Sequence, residues 1–199
     1  DNTEYFKNLY GDDIPISAHP KIRSDKACLQ SSSFAVKLAK KTGARLNVFH
    51  ISTAIELSLF DNGIELNDKK ITSEVCAHHL WFTDKDYIEL GSKIKWNPAI
   101  KSKNDRDALW KALKDDKIDI IASDHAPHTL EEKNNKYLSC PSGGPMIQHT
   151  ILSLLQKCKK YGVSYEKIVE KIAHNPATIF KVNKRGFLRE GYYADIVLI

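Results

Sequence analysis

Short apolar runs alternate along the chain with stretches whose apolar positions recur every three or four residues. That alternation predicts βα units around a parallel sheet. Arg45–Ser52 (RLNVFHIS) reads as a buried strand, Ile71–Cys76 (ITSEVC) as a second and Ile118–Ser123 as a third. Before the first strand, Asp25–Lys41 reads as a helix with Cys28, Ala35, Leu38 and Ala39 near one face. Thr42-Gly43 closes it, glycine suiting the left-handed position after a helix. Asn104 is placed to cap a helix running through Asp115, with Ala108, Leu109, Ala112 and Leu113 inward. Pro145–Tyr161 reads as the longest helix, burying Met146, Ile147, Thr150, Ile151, Leu154, Leu155 and Cys158 and stopping at Gly162. Ser164 opens another helix, and Asn175-Pro176 starts a short one in the favoured cap-then-proline order. The last residues, GFLREGYYADIVLI, switch to a two-residue period and read as the start of a β element. There is no repeat and no low-complexity linker.

Composition narrows the class. With 199 residues, 42% hydrophobic and 28% charged, the chain is that of a globular domain or part of one. No apolar run approaches the ~20 residues of a membrane span, so no membrane association is expected. The net charge of +5 is spread among interleaved acids and lysines, which argues against a nucleic-acid surface. Cys28, Cys76, Cys140 and Cys158 form no CxxC pair, so reduced thiols and a cytoplasmic location are expected. The chain begins at Asp1 and its one methionine is Met146, so it reads as a fragment or a processed piece.

Strand parity supplies candidate chemistry. Leu46, Val48 and His50 fall on one face of the first strand, and Ile118, Ile120, Ala122 and Asp124 on one face of the third. Each apolar row ends in a side chain able to hold a metal, at the strand end where β/α barrels place their sites. Parity alone is better described by an aspartate capping a turn and a core histidine. After Asp124, Ala126-Pro127 restricts the backbone between His125, read as structural, and His128, placed to meet something bound. The Pro141-Ser142-Gly143-Gly144-Pro145 turn exposes backbone N–H groups that suit a carboxylate or carbonyl, or simply leads into a helix.

Together HPKIRSDKAC, RLNVFHIST, EVCAHHLWFTD, KWNPAIK, IIASDHAPHT, CPSGGP, HNPATIF and GYYADIVLI resemble the class I dihydroorotases of the amidohydrolase superfamily, in family order and over nearly the whole chain. The most specific word is SDHAPH, because allantoinases usually place Cys where this chain has His128, and dihydropyrimidinases commonly differ there too. The resemblance implies an α/β fold, the C-terminal part of a (β/α)8 TIM-type barrel of the metal-dependent amidohydrolase kind, over residues 1–184. Residues 185–199 would be a β segment of a flanking sandwich domain. The implied activity is zinc-dependent, reversible cyclisation of N-carbamoyl-L-aspartate to L-dihydroorotate in pyrimidine biosynthesis. That makes it a hydrolase acting on a small molecule, compatible with a homo-oligomer.

Carried over by motif, His50 and Asp124 would be zinc ligands and Asp124 also the general acid/base. Asn97 and His128 would bind substrate, with backbone groups around Ser142 and Gly143. Ala99 and Lys101 stand where Pro and Arg are more usual. The family's His-x-His pair, its strand-four carboxylated Lys or Asp, its strand-five His and its strand-one Arg have no counterpart in this chain. His19 is read as a surface or supporting histidine, and His78 and His79 as packing residues. With only two of the expected ligands, the isolated chain is expected to bind zinc poorly and turn over little substrate. The alternatives are another cyclic amidase, dihydropyrimidinase or allantoinase, or a non-catalytic dihydroorotase-like subunit that scaffolds a partner such as aspartate transcarbamoylase.

Overall fold

The computed structural model describes residues 2–199. Its sheet has three parallel strands, β1 (Leu46–Val48), β2 (Ile71–Cys76) and β3 (Ile120–Ala122), in the order β1-β2-β3. Leu46 pairs with Ile71 and Val48 with Ser73; Glu74 pairs with Ile120 and Cys76 with Ala122. Residues in register share a face. Leu46, Val48, Ile71, Val75 and Ile121 therefore point to the helices, where they pack with Val36, Leu109, Leu113 and Leu154. Asn47, Thr72, Glu74, Cys76, Ile120 and Ala122 occupy the opposite face. Ile118, expected beside Asp124, instead joins the helix-side core. The chain turns next to it, at Asp119, whose carboxylate accepts the Ser73 N–H at 2.9 Å.

The helix before β1 spans Asp25–Thr42, opened by Ser24, whose Oγ accepts the Ala27 N–H at 3.3 Å, and closed by Gly43 at φ 71°. Its buried positions are Ser32, Val36 and Ala39; Leu38, expected inward, is 50% exposed. The helix Lys103–Lys114 is capped by Ser102 rather than Asn104. Ser102 wins because Asp105 lies three residues on, so each side chain takes the other's backbone N–H in a reciprocal box. The free oxygen of Asp105 accepts the Ala54 N–H at 2.9 Å and ties this helix to the loop after β1. Trp110, buried beside the expected Leu109, Ala112 and Leu113, donates its ring N–H to the Leu80 carbonyl at 2.9 Å.

Residues 145–161 depart from the expected long helix. The helix covers Thr150–Lys157, a 3-10 turn follows over Cys158–Tyr161, and Gly162 ends it at φ 67°. Residues 145–149 are held by other partners: the Ile147 N–H donates to His125 Nδ1 at 3.1 Å, and the Ile147 side chain, expected inward, is 68% exposed. Ser164 caps Tyr165–Val169, and Asn175–Ile179 is helical after a π turn, both at the expected places. The terminal segment read as β has no strand among the described residues, and Leu188, Val197 and Leu198 are exposed. A two-residue period orders a strand only where a neighbour pairs with it.

His19, expected at the surface or in support, is buried and joins two separate regions of the chain. Its Nε2 faces the Trp96 carbonyl at 2.6 Å and therefore carries the proton, and its Nδ1 accepts from the Tyr137 hydroxyl at 2.8 Å. Tyr137 completes a small second core with Phe6, Ile14, Ala18 and Ile22. Burial lowers the His19 pKa to about 4, with the Trp96 carbonyl opposing the shift. The unfolded chain takes up this proton near pH 6.5, the fold only near 4, so stability is full above pH 6.5 and declines as pH falls through that window. We expect a His19→Gln variant, followed by urea denaturation between pH 4 and 7, to show a shallower loss of stability on acidification than the parent. An unchanged pH slope would mean that His19 takes up its proton alike in both states.

Candidate functional site

The strand ends define the site. His50 and Asp124 each follow the last residue of their strand by two positions, and both are left-handed, with φ 42° and 47°. Histidine and aspartate are among the few side chains that tolerate this region. Continued alternation would have placed His50 with Leu46 and Val48 against the helices. The left-handed turn breaks that alternation. The His50 backbone N–H points to the Glu74 carboxyl, and the His50 ring is close enough to influence the charge of His78 and His79. The next N–H, of Ile51, donates to the Glu74 carbonyl at 2.7 Å. From the other side, Asp124 Oδ2 lies 3.8 Å from His78 Nε2, and its charge acts on Glu74 and Cys76. His50 and Asp124 thus share neighbours at the C-terminal end of β2.

Sequence reasoning missed Glu74. It sits on the face turned from the helices, and burial, aided by Asp124, raises its pKa to about 7 against the opposing His50 N–H and Asn47 amide. Its signal was a carboxylate in the middle of an otherwise uncharged strand, ITSEVC. His78 and His79 are buried beyond the end of β2, and desolvation holds both neutral. His79 Nε2 donates to the Pro98 carbonyl at 3.1 Å, which leaves Nδ1 as a bare lone pair. That atom and both nitrogens of His78 are buried without a hydrogen-bond partner among the described residues. Cys76, His78 and His79 offer donor atoms within 4.8 Å of one another.

Asn97 is exposed and joined to Pro98 by a cis peptide bond. With His50, Arg23, Cys28 and Glu56 it lines a cleft of about 620 Å³ along the free edge of β1. The loop after His50 is fixed there by Glu56, which accepts from Ser32 Oγ at 2.6 Å and Thr53 Oγ1 at 2.8 Å.

His128, Ser142 and Gly143 lie on two loops strapped together beyond β3. Ala126 N–H donates to the Gly144 carbonyl at 3.2 Å, and His125 accepts from Ile147, so His125 is structural. His128 Nδ1 is 3.6 Å from Glu132 Oε2, on the short helix Leu130–Lys133. Two buried lysines hold the second loop by its carbonyls. Lys133 Nζ donates to Pro141 and Gly143 at 2.9 Å and to Lys95 at 3.2 Å; Lys95 Nζ donates to Tyr137 and Cys140 at 2.6 Å. The Gly143 N–H is itself committed to the Lys95 carbonyl at 2.9 Å, whereas the Ser142 N–H has no partner among the described residues. Nothing in the sequence marked these lysines, since most lysines of the chain lie at the surface. The two glycines have spatial reasons: a Cβ at Gly143 would lie 2.6 Å from the Ala126 carbonyl oxygen, and one at Gly144 2.5 Å from the Trp96 ring.

The sequence pattern of the amidohydrolase family matches residues 35–199, and the chain belongs to that family. Within it the chain is dihydroorotase-like. It is 36% identical to a dihydroorotase of Clostridioides difficile (strain 630) over 81% of this chain and 38% of that protein. It is also 30% identical to an allantoinase of Bacillus velezensis over 94% of this chain and 41% of that protein. The chain thus spans about two-fifths of the length of these relatives. Among solved structures, the L-hydantoinase (dihydropyrimidinase) of Arthrobacter aurescens superposes with a TM-score of 0.84 at 23% identity, covering 96% of this chain and 43% of that one. This likeness concerns the fold, and it makes the three strands a portion of a TIM-type barrel, as expected.

Gly144 has no left-handed φ, so its need for glycine is purely one of space. We expect Gly144→Ala to destabilise the protein by about 1–3 kcal/mol through overpacking against Trp96. Gly43→Ala, where a Cβ meets only the far end of the Lys70 side chain at 4.0 Å, carries only the left-handed penalty of about 1 kcal/mol. Urea midpoints compare the two, and a Gly144→Ala midpoint equal to that of the parent would show that the loop moves freely off the ring.

Proposed function

We propose that this chain is the C-terminal portion of a dihydroorotase, interconverting N-carbamoyl-L-aspartate and L-dihydroorotate in pyrimidine biosynthesis with zinc as its metal. The observation that carries the reading is the pair of left-handed residues, His50 and Asp124, that flank the end of β2, joined to the SDHAPH word containing His128. The donor set fits a zinc ion: an imidazole and a carboxylate, at strand ends beside buried nitrogens that lack partners. His50 and Asp124 would hold the metal, with further ligands from regions of the protein outside this chain. Residues 185–199 would pair with a flanking sandwich domain.

When bound, zinc supplies Lewis acidity, polarising the amide carbonyl and making water a competent nucleophile near neutral pH. The chain's own residues do the rest. Asp124 takes the proton from the attacking water and delivers it to the ring nitrogen as the amide bond breaks; cyclisation runs the same transfer backwards. The substrate's negative charge calls for hydrogen-bond donors, and Asn97, the His128 ring and the Ser142 N–H would serve as those donors. Gly143 contributes by having no side chain, since its N–H is already committed within the loop.

A second reading, a cyclic amidase acting on hydantoin, allantoin or dihydrouracil, rests on the allantoinase match, which covers 94% of this chain, the same share as one of the dihydroorotases. A substrate panel on the full-length protein separates the two. We expect L-dihydroorotate to be the preferred substrate, chelation to abolish turnover and zinc to restore it. Asp124→Asn is expected to lower kcat by roughly 10²–10⁴-fold while leaving the circular dichroism unchanged. Preference for another ring, or an Asp124→Asn enzyme with parental kcat, would overturn the assignment.

A further inference from the structure

We propose that His78 is the positioning residue for Asp124: its Nε2–H directs one carboxylate oxygen and so fixes the orientation in which the aspartate works. The activity test of this role rests on the amide-hydrolase reading, whereas its geometry is independent of that reading. His78 is fully buried, and its ring is wedged in place. It stacks on Trp96 with centroids 4.4 Å apart and planes 7° from parallel, and packs against His79 with centroids 4.3 Å apart. Trp96 is itself fixed, by His19 on its carbonyl and by Gly144 against its ring. A neutral imidazole must carry one N–H, yet neither nitrogen of His78 has a hydrogen-bond partner among the described residues. Asp124 Oδ2 is the charged acceptor in reach, 3.8 Å from Nε2. That gap is about one ångström longer than a charge-assisted hydrogen bond. Asp124 is the partner that can close it, because its side chain is 34% exposed whereas His78 has no freedom to move.

Why a histidine is needed follows from the backbone. Asp124 sits at a left-handed residue beyond the strand, where pleat alternation no longer sets the direction of its side chain. A rigid donor beneath one oxygen leaves the other oxygen to face the site. The adjacent His79 has a parallel role, its Nε2–H holding the Pro98 carbonyl next to Asn97. Cys76 Sγ is near both rings, but burial and the neighbouring carboxylates keep its thiol protonated, so the trio offers no thiolate for a metal.

Two substitutions in the full-length protein separate donation from packing. His78→Phe keeps a ring against Trp96 and removes the donor; His78→Gln removes the ring and keeps an N–H. We expect His78→Phe to lower kcat about 10–100-fold with little change in KM, and His78→Gln to recover most of that loss. Crystal structures of both variants add a readout that does not depend on turnover: the Asp124 carboxylate should face residue 78 in the parent and in His78→Gln, and turn away in His78→Phe. A His78→Phe enzyme with parental kcat and an unmoved Asp124 would overturn the proposal, as would a His78→Gln enzyme impaired as severely as His78→Phe. If the parent opens no cyclic amide at all, the reaction assignment fails and the crystallographic comparison alone decides the positioning role.

Discussion

Everything at the candidate site depends on breaking the alternation of a parallel strand at a chosen residue. A strand ending in ordinary extended backbone would leave the position of His50 pointing to the helices, in register with Val75. A left-handed, non-glycine residue costs on the order of 1–2 kcal/mol. Of the five such residues among those described, two stand at the strand exits, His50 and Asp124. Hydrogen bonds from N–H groups just downstream hold both: Ile51 N–H to the Glu74 carbonyl and Ala54 N–H to the Asp105 carboxylate after β1, and Ala126 N–H to the Gly144 carbonyl after β3. The two turns are therefore imposed by the surrounding loops, as strained residues at functional sites generally are.

The loops in turn are held by buried ammonium groups acting on carbonyls. Lys95 and Lys133 each find neutral acceptors in place of a carboxylate, and desolvation lowers the pKa of both. Four carbonyl bonds hold the chain from Tyr137 to Gly143 in a tight path around them, and a fifth joins Lys133 to the Lys95 carbonyl. Lys95 directly precedes Trp96 and Asn97, so the same residue that secures the glycine loop also anchors the segment bearing Asn97. Removing either lysine would affect two expected substrate contacts through the backbone.

The order of elements and most caps were legible in the sequence because they depend on local chemistry. Ser164, Gly162 and Gly43 act within one turn of their position, and the apolar runs marked all three strands. What was not legible depended on partners distant in sequence. Asn104 and Ser102 are both good caps, and Asp105 decides between them through a reciprocal box that it also extends to Ala54. Residues 145–149 have the composition of a helix, but the Ile147 N–H is committed to His125. His19 gave no sign of burial, since its partners lie 77 and 118 residues away. Strand parity led to His50 by a mistaken route: Leu46 and Val48 do face the helices, and the turn sends His50 elsewhere. At Asp124 parity served for Ile120 and Ala122 and failed for Ile118.

The two ends of the sheet divide the work between stability and chemistry. At the N-terminal ends of the strands every buried charge is matched. Lys69 meets Asp119 at 2.6 Å, Asp119 also takes the Ser73 N–H, Asn175 donates to the Asp119 carbonyl, and Lys171 meets Asp116 at 2.7 Å. At the C-terminal ends the balance is incomplete: the ring nitrogens of His78, Nδ1 of His79 and the indole N–H of Trp96 are buried without hydrogen-bond partners among the described residues, and Glu74 sits in an environment that raises its pKa to about 7. Buried polar atoms without partners are rare because each forfeits the hydrogen bonds it made in water. Their clustering at one end, around the two strained strand exits, means that the packing which stabilises the chain has left this end unsatisfied. Polar groups satisfied at one rim and left open at the other are the pattern expected where a rim carries a functional site.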